Sequence, residues 1–139
     1  MPAIKKHDYG DRDPLTNKII GICYEIHNVL GPGFVERIYL NALKVAFGKT
    51  DLKYETEKEY EVRFAEEDVG KFRVDFLIED KVILEVKAVE GKMPKIFELQ
   101  VISYLKAANL EVGLLVNFGN RRCAVRRLML SPTSVKLSP

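Results

Sequence analysis

Apolar residues recur at helical spacing in three segments of the chain. Between Leu15 and Leu30 they fall three or four positions apart, and the sequence Gly31-Pro32-Gly33 then interrupts the pattern. This combination predicts an amphipathic helix that ends at a sharp turn. The same spacing predicts a second helix from Phe34 to about Gly48 and a third from Lys95 to Ala108.

Other segments show the two-residue alternation or the short apolar run of a strand. They span residues 59–64, 72–78, 82–88, 112–118 and, less regularly, 121–130. The charged residues Glu66-Glu67-Asp68 predict a turn between the first two strands. Helices and strands segregate partly along the chain, which indicates an α/β protein with a sheet layered against helices.

The loop between the second and third strands sets which side chains share a face. A two-residue turn at Asp80-Lys81 would place Asp75 and Glu85 on opposite faces. A three-residue loop, Glu79–Lys81, pairs Ile78 with Val82 and places Asp75 beside Glu85. This second register is favoured because it also gathers one apolar face, made of Phe72, Val74, Phe76, Ile78, Val82, Leu84 and Val86.

Glu85 and Lys87 stand two positions apart on one strand, so both point to the same face. With Asp75 they bring two carboxylates and one ammonium group together. Carboxylates this close repel each other unless a cation offsets their charge. Mg²⁺ would offset it well, since it takes one or two protein carboxylates and completes its shell with water and phosphate oxygens. A solvent-exposed ladder of salt bridges would explain the same three residues.

Composition narrows the class of protein without identifying a substrate. The chain has 139 residues, of which 47% are hydrophobic, and this predicts one domain over 15–131 with a flexible arm at 1–14 and a tail at 132–139. The net charge of +2 neither requires nor excludes nucleic acid. Cys23 and Cys123 lack metal-ligand spacing, so we expect reduced thiols and no zinc. No membrane segment or signal peptide is evident, which predicts a cytoplasmic protein.

One motif carries a resemblance. The segment from Gly31 to Tyr39 reads G-P-G-x-x-E-x-x-Y, in which the glutamate is Glu36. Together with Asp75, Glu85-Val86-Lys87 and Gln100 it closely resembles the small prokaryotic family named for its GxxExxY motif, a family of the PD-(D/E)XK nuclease superfamily. The resemblance extends over most of the chain, from about residue 19 to residue 130.

The resemblance implies an α/β, restriction-endonuclease-like PD-(D/E)XK core, with a mixed central sheet flanked by helices. It implies a metal-dependent phosphodiesterase that uses Mg²⁺ or Mn²⁺ to hydrolyse DNA or RNA. Val74 stands where the superfamily's name places a proline. The implied site has Asp75 and Glu85 as metal ligands, the Val86 carbonyl and Glu36 as further ligands, Lys87 beside the attacking water, and Gln100 assisting.

Several residues are candidates for contact with nucleic acid. Tyr39 and Tyr104 each lie one helical turn beyond a site residue, although packing against the sheet explains them equally well. The densest basic group consists of Arg121, Arg122, Arg126 and Arg127. These arginines would bind phosphates at the rim of a cleft or would protect an edge strand from aggregation, and both interpretations stay open. His27 has no partner ligand nearby and is predicted to be a partly exposed helix residue.

A rival interpretation comes from a different class of protein. The chain would then be a non-catalytic nucleic-acid-binding or protein-interaction module that keeps the nuclease fold. The complete set of charged site residues weighs against it, because a degenerate site usually loses one of them. A homodimer is compatible with the sequence under either interpretation.

Overall fold

Three helices and five strands make up the part of the chain that the structure, a computed structural model, describes, residues 13–130. The predicted tail and nearly all of the predicted arm lie outside these residues. The elements are α1 (Pro14–Leu30), α2 (Glu36–Gly48), β1 (Tyr54–Phe64), β2 (Glu67–Ile78), β3 (Val82–Lys87), α3 (Lys95–Ala108), β4 (Val112–Asn117) and β5 (Ala124–Met129).

The strands form a single mixed sheet in the order β1-β2-β3-β4-β5. Strands β3 and β4 run parallel and are joined through α3, and the other neighbours are antiparallel. The parallel pair requires such a crossover, because a tight turn can join only antiparallel strands. The predicted α/β class with a mixed sheet is therefore confirmed.

Helix α1 begins at Pro14, inside the predicted arm. Asp13 caps it, with its Oδ1 accepting from the Thr16 N–H at 3.2 Å. The Asp13 carboxylate also accepts from the Arg127 guanidinium at 2.9 Å, which ties the start of α1 to β5. The last two residues assigned to the arm, Asp13 and Pro14, are therefore part of the folded structure.

Helices cover both faces of the sheet, and each face has its own apolar cluster. Helices α1 and α2 pack on a cluster that includes Phe76, Ile78 and Leu84. Helix α3 packs on a second cluster, which includes Val74. The predicted single apolar face is therefore wrong in part, because Phe72 and Val74 lie on the α3 side.

The predicted register of the β2–β3 hairpin is confirmed. Ile78 pairs with Val82, and the Lys81 N–H donates to the Ile78 carbonyl at 3.0 Å. Two loop residues, Glu79 and Asp80, have positive φ values of 55° and 54°. A three-residue loop of the predicted kind needs only one residue in the left-handed region. Acidic residues tolerate this region poorly but better than branched apolar ones.

The β1–β2 hairpin is longer than predicted. Its turn is Ala65-Glu66, with φ values of 51° and 68°, so that Glu67 and Asp68 belong to β2. Positive φ at both central residues marks the tight turn whose twist suits antiparallel strands. The outer half of this hairpin exposes most side chains on both faces, so hydrophobic alternation could not reveal it.

Tyr39, the tyrosine of the Gly31–Tyr39 motif, belongs to the hydrophobic core. Tyr39 is fully buried, its hydroxyl donates to the Gly31 carbonyl, and the Phe34 N–H donates to that hydroxyl at 3.3 Å. Its ring stacks on Phe118 at 4.6 Å between centroids. The predicted contact of Tyr39 with nucleic acid is wrong, because the side chain instead fixes the turn that precedes α2.

Replacement of Tyr39 by phenylalanine should lower the free energy of unfolding by about 1–2 kcal/mol, since the partly buried Gly31 carbonyl would lose its donor. Urea denaturation measures the change. Tyr24→Phe is the matched control, because Tyr24 is 46% exposed and should tolerate the same change with little effect. Equal stabilities of the Tyr39→Phe variant and the unaltered protein would show that this hydroxyl is not a structural tie.

Candidate active site

Two carboxylates meet where strands β2 and β3 separate. Backbone pairing of these strands ends at Phe76 and Leu84. Beyond that point the Asp75 N–H donates to Glu85 Oε2 at 2.7 Å, and the Val86 N–H donates to Asp75 Oδ2 at 2.8 Å. Each side chain thus satisfies a backbone donor of the opposite strand, which holds Asp75 and Glu85 side by side.

Asp75 lies at a break in the alternation of β2. Val74 packs in the α3 cluster and Phe76 in the α1–α2 cluster, although residues two apart share a face on a regular strand. On the neighbouring strand β1, Glu57 has a φ of 52° and no pairing partner between its paired neighbours. The break lets Asp75 touch Glu85 and also line a small cleft with Glu36 of α2.

Burial and neighbouring negative charges raise the pKa values of these acids. Glu85 is 5% exposed, and its pKa is raised to about 8, first by burial and then by the charge of Asp75. Burial also raises the pKa of Asp75, against the hydrogen bond from Val86 and the charge of Lys87. The pKa of Glu36 is raised by burial and by Asp75. Lys87 therefore offsets only part of the negative charge.

The exposed salt-bridge ladder is not what the structure contains. Glu85 is buried, and among residues 13–130 no ion pair joins Lys87 to Asp75 or Glu85. The Lys87 ammonium instead lies 4.3 Å from the centre of the Phe97 ring, on α3. A cation over an aromatic face is held without a counter-ion, so the ammonium stays available beside the carboxylates.

Helix α3 lines the other side of the site. Gln100 is half-buried and follows Phe97 by one helical turn. Tyr104 comes one turn later and stacks on Phe72 at 4.3 Å. Burial raises the Tyr104 pKa, and the charges of Glu85 and Asp75 raise it further. Spacing of three and four residues places all three α3 side chains on one face of the helix, which is the face toward the carboxylates.

The carboxylate oxygens of Asp75 and Glu85 suit a hard divalent cation that is bound by two acids. Within the described residues no three acidic, histidine or cysteine side chains cluster closely enough to hold a metal, so Glu36 lies outside the pair. Asp75 and Glu85 each use one oxygen for a backbone donor, which leaves the second oxygen of each for a cation. Mg²⁺ commonly binds through one or two carboxylates and keeps its waters, and its charge would offset the negative charge of the pair.

Two asparagines hold the segment that follows β3, and sequence reasoning missed them. Asn117 is buried; its Oδ1 accepts from the Val89 N–H at 2.9 Å and its Nδ2 donates to the Val89 carbonyl at 3.0 Å. Asn120 makes the same two bonds with Gly91 at 2.7 and 2.8 Å. Asn117 is the last residue of the apolar strand β4, and Phe118, Gly119 and Asn120 follow it. Two asparagines and a glycine at the end of a strand are typical of a structured turn, and this signal could have marked them.

Close contacts around the same loop leave no room for a side chain at Gly119 and bury His27. A Cβ on Gly119 would lie 2.3 Å from the Val89 carbonyl oxygen. Nε2 of His27 lies 2.7 Å from the Asn120 carbonyl oxygen, and His27 is buried. The prediction of a partly exposed histidine is therefore wrong, since the ring bridges α1 and this loop.

The four arginines separate into two kinds. Arg127 contacts Asp13 at 2.9 Å and its side chain is buried, whereas Arg126 contacts Glu98 at 3.5 Å with about half of its side chain exposed. Arg121 and Arg122 are exposed, and in the part of the chain that the structure covers they make no ion pair. This second pair therefore keeps its charge open to an anionic ligand without competition from an acid.

Comparison with known proteins identifies the family. A model of the PD-(D/E)XK nuclease superfamily matches residues 13–128. The fold is similar to that of the crystal structure of SSO0001, with a TM-score of 0.54 and 23% sequence identity over 72% of this chain and 54% of that one. The chain thus spans about half the length of that protein. No curated protein matches the sequence.

None of the helices within residues 13–130 is long and apolar enough to span a membrane. The family model covers most of the chain and includes every element that carries the site, from α2 through β2 and β3 to α3. The chain belongs to the PD-(D/E)XK nuclease superfamily.

Proposed function

We propose that this protein is a Mg²⁺- or Mn²⁺-dependent nuclease that hydrolyses phosphodiester bonds of DNA or RNA. The observation that carries the proposal is the pair of the half-buried Asp75 and the buried Glu85, whose pKa values are both raised while the Lys87 ammonium lies on an aromatic ring. Such a pair destabilises an empty site and favours a bound divalent cation. Strongly perturbed acids in a cleft are typical of active sites.

In this proposal Asp75 and Glu85 hold the metal, with the Val86 carbonyl as a further ligand. Glu36, predicted from the sequence to be a ligand as well, instead lines the adjoining cleft with Asp75. The bound metal would supply an activated water and polarise the phosphate. Lys87 orients that water and stabilises the charge that develops on the phosphorus oxygens. Gln100 donates a hydrogen bond at the edge of the site, where its place on α3 brings it beside Phe97.

The narrower assignments are also proposals. The Gly31–Tyr39 motif supports membership of the GxxExxY family, and the family match over 13–128 accords with one domain over 15–131. The unbonded cysteines Cys23 and Cys123 accord with a cytoplasmic setting. Sedimentation analysis tests whether the protein is a homodimer.

Metal binding separates the nuclease from a non-catalytic module. Titration calorimetry with Mn²⁺ should show one site, and that site should be lost in Asp75→Asn. Cleavage of a panel of DNA and RNA substrates should require Mg²⁺ or Mn²⁺ and stop in EDTA. Glu111→Gln is the control, since Glu111 is exposed at the start of β4, away from the site. Absence of Mn²⁺ binding at millimolar concentration would favour the non-catalytic module.

A further inference from the structure

A groove of about 620 Å³ opens beside the proposed site. Two of its lining residues lie close in sequence to the proposed site, since Ala88 follows Lys87 and Phe34 stands two residues before Glu36. Its volume is in the range of pockets that hold a small organic ligand, about 300–1,000 Å³. The lining residues are Pro32, Gly33, Phe34, Ala88, Glu90, Gly119, Asn120 and Arg121.

Phe34 forms one wall of this groove and is 45% exposed. Its ring meets the buried Tyr39 ring edge to face at 6.2 Å, and its backbone N–H donates to the Tyr39 hydroxyl at 3.3 Å. These contacts hold the backbone and one edge of the ring, and about half of the residue stays exposed. A fixed, exposed aromatic ring is a surface on which a nucleic-acid base stacks, at about 1–3 kcal/mol per base.

Arg121 forms another part of the groove, on the loop that Asn120 clamps to Gly91. Its side chain is exposed, and within residues 13–130 it makes no ion pair, not even with Glu90, the one acid that lines the groove. A guanidinium in this position can bind a phosphate through paired N–H donors.

Charge is distributed unequally on the two sides of the site. Residues 54–78 of the β1–β2 hairpin contain eight acidic and four basic residues, whereas residues 119–127 contain four arginines and no acid. Arg126 and Arg127 are paired with acids from other segments. Arg121 and Arg122 make no ion pair within residues 13–130, so their charge is not offset by a neighbouring acid. A phosphate backbone is therefore repelled from the hairpin and attracted to the groove.

We propose that this groove binds an unpaired nucleotide next to the scissile phosphate, with its base on Phe34 and a phosphate at Arg121, so that single strands or frayed ends are the substrate. The inference rests on the proposed nuclease function. It specifies the substrate because a base inside a duplex is stacked and paired, and it cannot reach an aromatic wall without leaving the helix.

Fluorescence anisotropy in EDTA measures binding without cleavage. A labelled single-stranded DNA, the same sequence as RNA, and the matched duplex should be titrated with the full-length protein. Both single strands should bind more tightly than the duplex. Phe34→Ala should weaken single-strand binding roughly 5- to 100-fold, and Phe34→Trp should retain it. Arg121→Gln should weaken binding and reduce the salt dependence by about one released ion.

Phe64→Ala and Arg63→Gln are matched controls at the tip of the β1–β2 hairpin, where Phe64 is 74% exposed. Both should bind the single strand as the unaltered protein does. Unchanged affinity of the Phe34→Ala variant, duplex affinity equal to that of the single strand, or no oligonucleotide binding at all would each overturn the proposal.

The subsite and the activity can fail separately. Phe34-dependent binding of single strands without metal-dependent cleavage of any substrate would leave the subsite and reject the nuclease. Metal-dependent cleavage that is equal on single strands and duplexes, and unaltered in Phe34→Ala, would reject the subsite and leave the nuclease.

Discussion

Glu85→Gln should abolish metal-dependent cleavage, with a loss of about 10³-fold or more in kcat/KM, the scale seen when a buried electrostatic group of an active site is removed. The amide removes the negative charge that would hold the metal. Its remaining oxygen can still accept from the Asp75 N–H, the bond that Glu85 makes at 2.7 Å. The fold should therefore persist, and the loss should lie in catalysis.

Single-turnover cleavage at saturating Mg²⁺ measures this loss, with circular dichroism as the check on folding. Lys87→Met should cause a comparable loss, because it removes the ammonium that lies over the Phe97 ring and keeps an unbranched apolar side chain in its place. Glu111→Gln, an exposed acid changed in the same way, should retain full activity. A Glu85→Gln enzyme that kept a tenth or more of the activity would show that this carboxylate is not a metal ligand.

The same substitution should make the metal-free protein more stable at pH 8. The Glu85 pKa is about 8 in the folded chain against 4.5 for the ordinary group, so ionisation opposes folding. The cost is absent below pH 4.5 and grows as pH rises toward 8. Glutamine carries no charge to bury, and the gain at pH 8 should be roughly 2–4 kcal/mol, since one pKa unit corresponds to about 1.4 kcal/mol.

Urea denaturation in EDTA at pH 4.5 and pH 8 tests this directly. The unaltered protein and Glu85→Gln should be nearly equal at the lower pH, and the variant should be the more stable at the higher one. Mn²⁺ should stabilise the unaltered protein at pH 8 and leave the variant unchanged. If the variant were less stable than the unaltered protein at pH 8 without metal, Glu85 would be a structural acid.

These two results would have opposite signs at one residue, activity falling while stability rises. That combination is expected where the charge of an active-site residue destabilises the ligand-free fold and is needed to bind the ligand. A structural carboxylate would show the reverse, because its loss would lower stability and leave chemistry intact. The pair of measurements therefore distinguishes the two roles of Glu85 more sharply than either alone.

Local sequence patterns were sufficient for much of the fold. All three helices were predicted, α3 with its bounds unchanged, because amphipathic spacing and flanking glycine or proline are short-range signals. The pairing of Ile78 with Val82 followed from loop length and from which face would be apolar. Asp75 and Glu85 could be placed side by side for the same reason.

Local sequence patterns could not predict contacts between segments that lie far apart in the sequence. Tyr39 and Tyr104 were equivalent in the sequence, yet Tyr39 is buried under Phe118 and Tyr104 lies near the carboxylates. Arg121 and Arg127 belonged to one basic group, and only the approach of Asp13 to Arg127 separates them. Burial of His27 depends on a loop more than ninety residues away.

The sequence by itself determined the order of elements, the hairpin register and the carboxylate pair, because these depend on periodicity and on turns of a few residues. Tertiary structure alone decided that Val74 and Phe76 face different clusters, that Glu36 lies outside the pair, and that Phe34 and Arg121 line one groove. The reason is that burial and charge at each of these positions are set by what packs across the sheet, and residues far apart in sequence supply those neighbours.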